Sequence, residues 1–192
     1  MIIDAHSHLW LKQDAVVDGQ PIQTLPTNGS RSIFFGEEVQ MLPPFMIDGI
    51  NSAEIFLSNM DYAQVGGAVV VQEVIDGNQN SYLAEVQRKY ANRFCCLGMA
   101  DSIQDVDRIM EIGLKGISIP GHRLLGTSLL NKMPLFKYLE EKGLILSMCL
   151  ADNEVQISEM AEVIEECPNL KVAIGHFGMA NTASFKSQVM LA

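Results

Sequence analysis

Short apolar runs alternate along this chain with stretches whose apolar positions recur every three or four residues. Ile2 to Leu9 reads as a strand that is apolar first and polar at its end. Residues 51–66 carry Ile55, Met60 and Ala63, with Phe56 or Leu57, at helical spacing. Asn51 and Glu54 stand there in a capping-box pattern. The Val-rich run at 66–75 has the character of a strand buried on both faces. A helix follows at about 81–90, a strand at 93–100, a helix from Asp101 or Ser102 to about Ile112, and a strand at 114–121. Residues 133–143 form a further helix, with Pro134 suited to its first turn and Gly143 at its end. The series closes with a strand at 144–150, a helix from Asn153 to Cys167 stopped by Pro168, and a strand at 170–178. Residues 182–192 read as the start of another helix.

Six strands alternating with amphipathic helices predict a parallel sheet covered by helices. No glycine-rich phosphate loop follows the first strand, which argues against a nucleotide-binding doubly wound sheet. The expected class is therefore α/β, a (β/α)8 TIM-barrel type truncated after about six βα units, since eight units take about 250 residues. One domain over residues 1–192 is expected. Two raw parallel edges would remain, so a homo-oligomer, an unusual closure or a further C-terminal part is expected. Residues 11–50 interrupt the alternation, and Gly19, Pro21, Pro26, Gly29, Pro43 and Pro44 break any long element there. This stretch is predicted to be a long loop insertion over the barrel mouth. Its apolar patches, IFF at 33–35 and MLPPFMI at 41–47, suggest that it packs onto something.

Composition narrows the classes of function. Of the 192 residues, 48% are hydrophobic, enough for a sizeable core, and 19% are charged, too few for a disordered chain. A net charge of −10 argues against a nucleic-acid partner, which needs a basic face. The first residues lack the basic start and long apolar run of a secretory leader, and no apolar stretch is long enough to span a membrane. Cys95, Cys96, Cys149 and Cys167 show neither zinc-ribbon spacing nor a disulfide framework, and are read as reduced thiols in a cytoplasmic protein.

The candidate chemistry lies at strand ends. His6 and His8 are two apart, so in a strand they project from the same face, and the carboxyl ends of barrel strands form the catalytic mouth. Two imidazoles converging there suit a divalent ion at about 2.0–2.1 Å from each, or a hydrogen-bonded loop pair. His176 in VAIGHFG and His122 in IPGHR also follow apolar strands. Arg123 can clamp a substrate carboxylate by two hydrogen bonds. Glu73 at the end of the second strand and Trp10 after the histidine pair can line a substrate pocket, or cap and pack instead. Asp101 and Asp152 read as helix caps, and Asp4 as a structural anchor.

IDAHSHLW at the start and LKVAIGHFG at 170–178 resemble the amidohydrolase superfamily. The likeness is to the branch containing aminocarboxymuconate-semialdehyde decarboxylase, resorcylate-type decarboxylases and lactonases. The stretches 52–72, 82–101 and 134–150 extend it over most of the chain. The resemblance implies a (β/α)8 barrel with one divalent metal, often zinc. It makes His6 and His8 the first-strand ligands, and His176 a ligand or the group that polarises substrate and water. The family's fifth-strand histidine has no counterpart: Met148, Cys149 and Leu150 stand there. Its eighth-strand aspartate falls beyond Ala192. The expected function is metal-assisted hydrolysis of a small amide, ester or lactone by an activated water, with His176 catalytic. The alternatives are non-oxidative decarboxylation of a small carboxylic acid, a metal-free site, and a non-catalytic relative.

Overall fold

The computed structural model describes residues 1–11, 13–17, 19–124, 126–180 and 183–191. The chain forms two compact units, Met1–Cys96 and Leu97–Ala192. Each is described by itself.

The first unit is built on a parallel sheet of β1 (Ile2–Ser7), β6 (Val65–Val70) and β7 (Phe94–Cys96), with β6 in the centre. Apolar Val70 and Val71 are buried, as the Val-rich run requires of a central strand. Helix α1 (Ala53–Tyr62) leads into β6, and α2 (Asn80–Lys89) connects β6 to β7. The α1 cap is Ser52, whose hydroxyl accepts the Ile55 N–H, rather than Asn51. Asn51 is engaged elsewhere: its amide donates to the His8 carbonyl at 2.7 Å, and its backbone pairs with Trp10. Helix α2 turns Leu83 and Val86 inward with the buried amide of Gln87. That amide donates to the Phe94 carbonyl at 3.2 Å and accepts the Cys96 N–H at 2.8 Å, so it satisfies backbone groups of β7. Burial pushes the Cys96 thiol up to about 12, as expected of an inert core cysteine.

Residues 11–50, expected as a loop, fold instead into an antiparallel sheet of β2 (Asp14–Val17), β3 (Gln20–Leu25), β4 (Asn28–Phe34) and β5 (Glu37–Gln40). The glycines and prolines that suggested irregular chain mark the turns and edges of this sheet. The Val17↔Gln20 pair closes a two-residue connection containing Gly19 at φ 74°. Between Phe34 and Glu37, Phe35 and Gly36 both take positive φ, as a primed hairpin turn demands. Ile22, Ser30 and Ser32 are wholly buried, so this sheet has an inner face of its own.

The second unit holds a parallel sheet ordered β10 (Lys171–Ile174), β9 (Ile145–Met148), β8 (Gly116–Ile119). Register is continuous from Gly116↔Ile145 to Ile119↔Met148, and from Lys171↔Ile145 to Ile174↔Met148. Central β9 buries Leu146 and Met148 completely. Helices α3 (Ile103–Glu111), α4 (Met133–Glu141) and α5 (Glu154–Glu166) turn Val106 and Ile109, Leu135, Phe136 and Leu139, and Ile157, Met160 and Val163 inward. Ser102 and Asn153 cap α3 and α5. Asp101 and Asp152, expected as caps, instead pair with Lys132 and accept the Ser184 hydroxyl. The predicted strand at 170–178 ends at Ile174, where the backbone leaves the sheet. The predicted terminal helix is α6 (Phe185–Val189), with Thr182 and Ala192 outside the described residues. Cys95, Cys96, Cys149 and Cys167 form no disulfide.

Two tests follow from these contacts. A Cβ on Gly116 would lie 2.0 Å from the Ile145 carbonyl oxygen. Gly116→Ala is therefore expected to cost about 1–3 kcal/mol, read as a lowered urea midpoint. On the surface, Lys89 and Tyr90 donate to the Glu54 carboxylate at 3.0 and 2.9 Å and hold it at about 2, against an ordinary 4.5. The stabilisation is present above pH 4.5 and lost as pH falls toward about 2. Glu54→Gln is expected to flatten that acid limb slightly in pH-dependent unfolding, the pair being exposed.

Candidate active site

At the carboxyl end of β1 the ladder breaks. Asp4 pairs with Ala68 and Ser7 with Val70, so three steps along β1 match two along β6. Such bulges re-aim side chains and recur beside active sites. Inside the bulge the His6 N–H donates to Asp4 Oδ1 at 3.1 Å, and the Ser7 hydroxyl donates to the Val69 carbonyl at 2.9 Å. The His6 and His8 rings meet edge to face, with centroids 5.1 Å apart and planes at 69°. Both residues are half-buried.

Behind His8 stands Asp76, which the sequence reading passed over. It closes a short 3-10 turn (Val74–Asp76) directly after β6 and is 3% exposed. Its Oδ2 lies 3.1 Å from His8 Nδ1 and accepts the Glu73 N–H at 3.2 Å. Its Oδ1 accepts from the Gln13 amide at 3.2 Å. The available signal was the spacing Glu73-x-x-Asp76, a capping box closed within one short turn. The Glu73 carboxylate accepts the Ile75 N–H in that box. Trp10 is 7% exposed, and its indole N–H donates to the Gly49 carbonyl at 3.0 Å. It fastens the chain after His8 to the segment that follows the inserted sheet.

The donor set of this end fits a divalent ion. Two imidazoles stand side by side, and one has a buried carboxylate on its rear nitrogen, an arrangement common behind metal-binding histidines.

In the second unit, His122 and Arg123 occupy a 3-10 turn (Gly121–Arg123) after β8, both half-buried. The His122 N–H donates to the Cys149 carbonyl at 2.8 Å. Gln156, buried in the first turn of α5, donates to the Gly121 carbonyl and accepts the Ala151 N–H, each at 2.7 Å. It thereby ties the turn after β8 to the turn after β9. Met148 is buried and Cys149 half-buried at the end of β9, where the resemblance would place a histidine.

His176 follows β10 in a left-handed turn. His176, Phe177, Gly178 and Met179 have φ of 54°, 52°, 62° and 51°. Successive non-glycine residues rarely hold that region, and backbone strain of this kind gathers at functional sites. The turn is supported by Gln188 of α6, whose amide donates to the Gly178 carbonyl at 3.1 Å. A Cβ on Gly178 would lie 2.1 Å from Gln188 Oε1, so any larger residue there would displace the amide that supports the turn. His176 itself is exposed.

Comparison with known proteins places the chain. A family model described as amidohydrolase matches residues 3–190. The chain belongs to the amidohydrolase family. No curated protein matches it significantly. Among solved structures it is similar to a probable 2-pyrone-4,6-dicarboxylic acid hydrolase from Acinetobacter baumannii with citric acid bound. That pair shares 14% identity at a TM-score of 0.65, over 100% of this chain and 66% of the other. An uncharacterized TIM-barrel protein from Bordetella bronchiseptica aligns at 19% identity and TM-score 0.58, over 73% of this chain and 56% of that one. An amidohydrolase from Burkholderia multivorans with bound HEPES aligns at 14% identity and TM-score 0.62, over 100% and 63%. The chain thus spans about two thirds or less of the length of these structures. Their likeness gives the fold class, an α/β protein of the (β/α)8 TIM-barrel type. Among the described residues the parallel strands are β1, β6, β7, β8, β9 and β10, the number read from the sequence. No helix among them is long and apolar enough to cross a membrane.

Trp10→Phe is expected to strand the buried Gly49 carbonyl and to cost about 1–3 kcal/mol. Chemical denaturation checks this, and an unchanged midpoint would remove the anchoring role.

Proposed function

We propose that the chain carries the metal-binding half of a hydrolase active site acting on a small carbonyl compound, a lactone, ester or amide. In this reading His6 and His8 hold a divalent ion, zinc in the first instance, and His176 joins them. The observation that carries it is the edge-to-face His6–His8 pair at the bulged end of β1, backed by the Asp76 carboxylate. Membership of the amidohydrolase family supports it, as does the position of His176 directly after a parallel strand. A divalent ion in such a site supplies a water acidified to a pKa of about 7 and a polarised carbonyl.

The chain's own residues do the rest. His176, exposed on its left-handed turn, can reach a substrate oxygen and hold or pass a proton through its imidazole. In this reading Arg123 and His122, on the turn pinned by Gln156, bind a carboxylate of the substrate. The relative named for 2-pyrone-4,6-dicarboxylic acid makes a lactone bearing carboxylates the first class to assay.

The test is metal content with hydrolysis. The purified chain is expected to hold about one divalent ion, lost in a His6→Ala/His8→Ala variant. Lactone hydrolysis, followed by acid release, is expected to fall at least about 100-fold in His176→Ala. A chain that takes up no zinc, manganese or cobalt, with hydrolysis indifferent to all three substitutions, overturns the proposal.

A further inference from the structure

Asp76 lies beyond the end of β6, in a 3-10 turn, and belongs to none of the candidate motifs. We propose that it is the positioning residue for His8: it holds the neutral imidazole with its proton on Nδ1, so that Nε2 presents the open lone pair. The inference rests on the reading of His8 as a ligand and names the atom through which it binds.

A carboxylate oxygen without a proton only accepts hydrogen bonds. Asp76 Oδ1 takes the Gln13 amide and Oδ2 the Glu73 N–H, so both oxygens already serve as acceptors. With Oδ2 at 3.1 Å from His8 Nδ1, the ring must carry its proton on that nitrogen for the contact to be attractive. A bare Nδ1 would set a lone pair against a carboxylate, and Asp76 is 3% exposed, so little water can intervene. The surroundings leave Asp76 no freedom to turn away. Its backbone N–H donates to the Glu73 carbonyl at 2.9 Å, and its carbonyl accepts the Gln79 amide at 2.7 Å. On the other side, Asn51 donates to the His8 carbonyl at 2.7 Å, which fixes the backbone from which the ring projects. Through Gln13 the same carboxylate also fastens the start of the inserted sheet to the ligand.

The tautomer is read directly by long-range ¹H–¹⁵N spectra of the metal-free full chain labelled at histidine. The spectra are taken at about pH 9, above the usual imidazole pKa of about 6.5, and the His8 signals are assigned by their loss in His8→Asn. The wild type is expected to show a protonated Nδ1 and an unprotonated Nε2. Asp76→Ala is expected to shift His8 toward the Nε2–H form. It should also weaken zinc affinity about 10–100-fold in chelator competition. Asp76→Asn, which can still accept through its amide oxygen, is expected to retain part of both. A wild-type His8 protonated on Nε2 overturns the inference, as does an unchanged tautomer in folded Asp76→Ala. If Asp76→Ala does not fold, the wild-type spectrum decides alone. A wild type with the expected tautomer and no zinc affinity removes the metal reading and leaves the role of Asp76 standing.

Discussion

A carboxylate taken out of water has to be surrounded by donors, and the first unit is organised around one such group. Asp76 collects a ring nitrogen of His8, the Gln13 amide and a backbone N–H within 3.2 Å. Those donors come from three places: the end of β1, the entry to the inserted sheet, and the turn after β6. Removing any one would leave buried charge undercompensated, a cost far above that of an ordinary surface contact. The same arrangement that keeps Asp76 tolerable inside the protein therefore also keeps His8 in one orientation. Stability and site geometry share one set of hydrogen bonds.

The second unit uses neutral amides for a comparable purpose. Gln156 bridges the turns after β8 and β9, and Gln188 supports the turn after β10. These turns carry or adjoin Arg123, His122 and His176, the polar side chains proposed to meet a substrate. A buried glutamine has both donors and acceptors, so it can satisfy loop carbonyls and N–H groups that lie beyond the strand ladder. The left-handed run from His176 to Met179 would not persist without such support. In each unit, strands end at or just before the candidate side chains, and a few buried polar side chains shape the turns that carry them.

Much of this was legible in the chain. The start of the Val-rich run at 66–75 and the middles of LKGISIPG and LILSMCL are strands, at Val65–Val70, Gly116–Ile119 and Ile145–Met148, and their helices showed inward faces at the right spacing; the run's end, Val74–Asp76, is a 3-10 turn instead. His6 and His8 announced themselves by number and position. Other features were hidden for definite reasons. The antiparallel sheet at 14–40 was hidden because two of its strands carry proline or glycine and its inner face buries serines along with Ile22. Ser52 rather than Asn51 caps α1 because Asn51 is claimed by a contact 43 positions away in sequence. Asp76, Gln156 and Gln188 went unread because the burial of a polar side chain is set by partners distant in sequence.

By itself the amino-acid sequence determined the order and type of the parallel elements, the family, and the histidines that could do chemistry. These follow from local periodicity and residue type, which are properties of neighbours along the chain. Only the tertiary structure decided which hydrogen-bond partner each of those residues has. It set the bulge that turns His6 and His8 together, the burial of Asp76 behind one of them, and the end of β10 at Ile174, before His176. Those outcomes depend on distant segments competing for the same donors and acceptors, and no short window of sequence contains both sides of that competition.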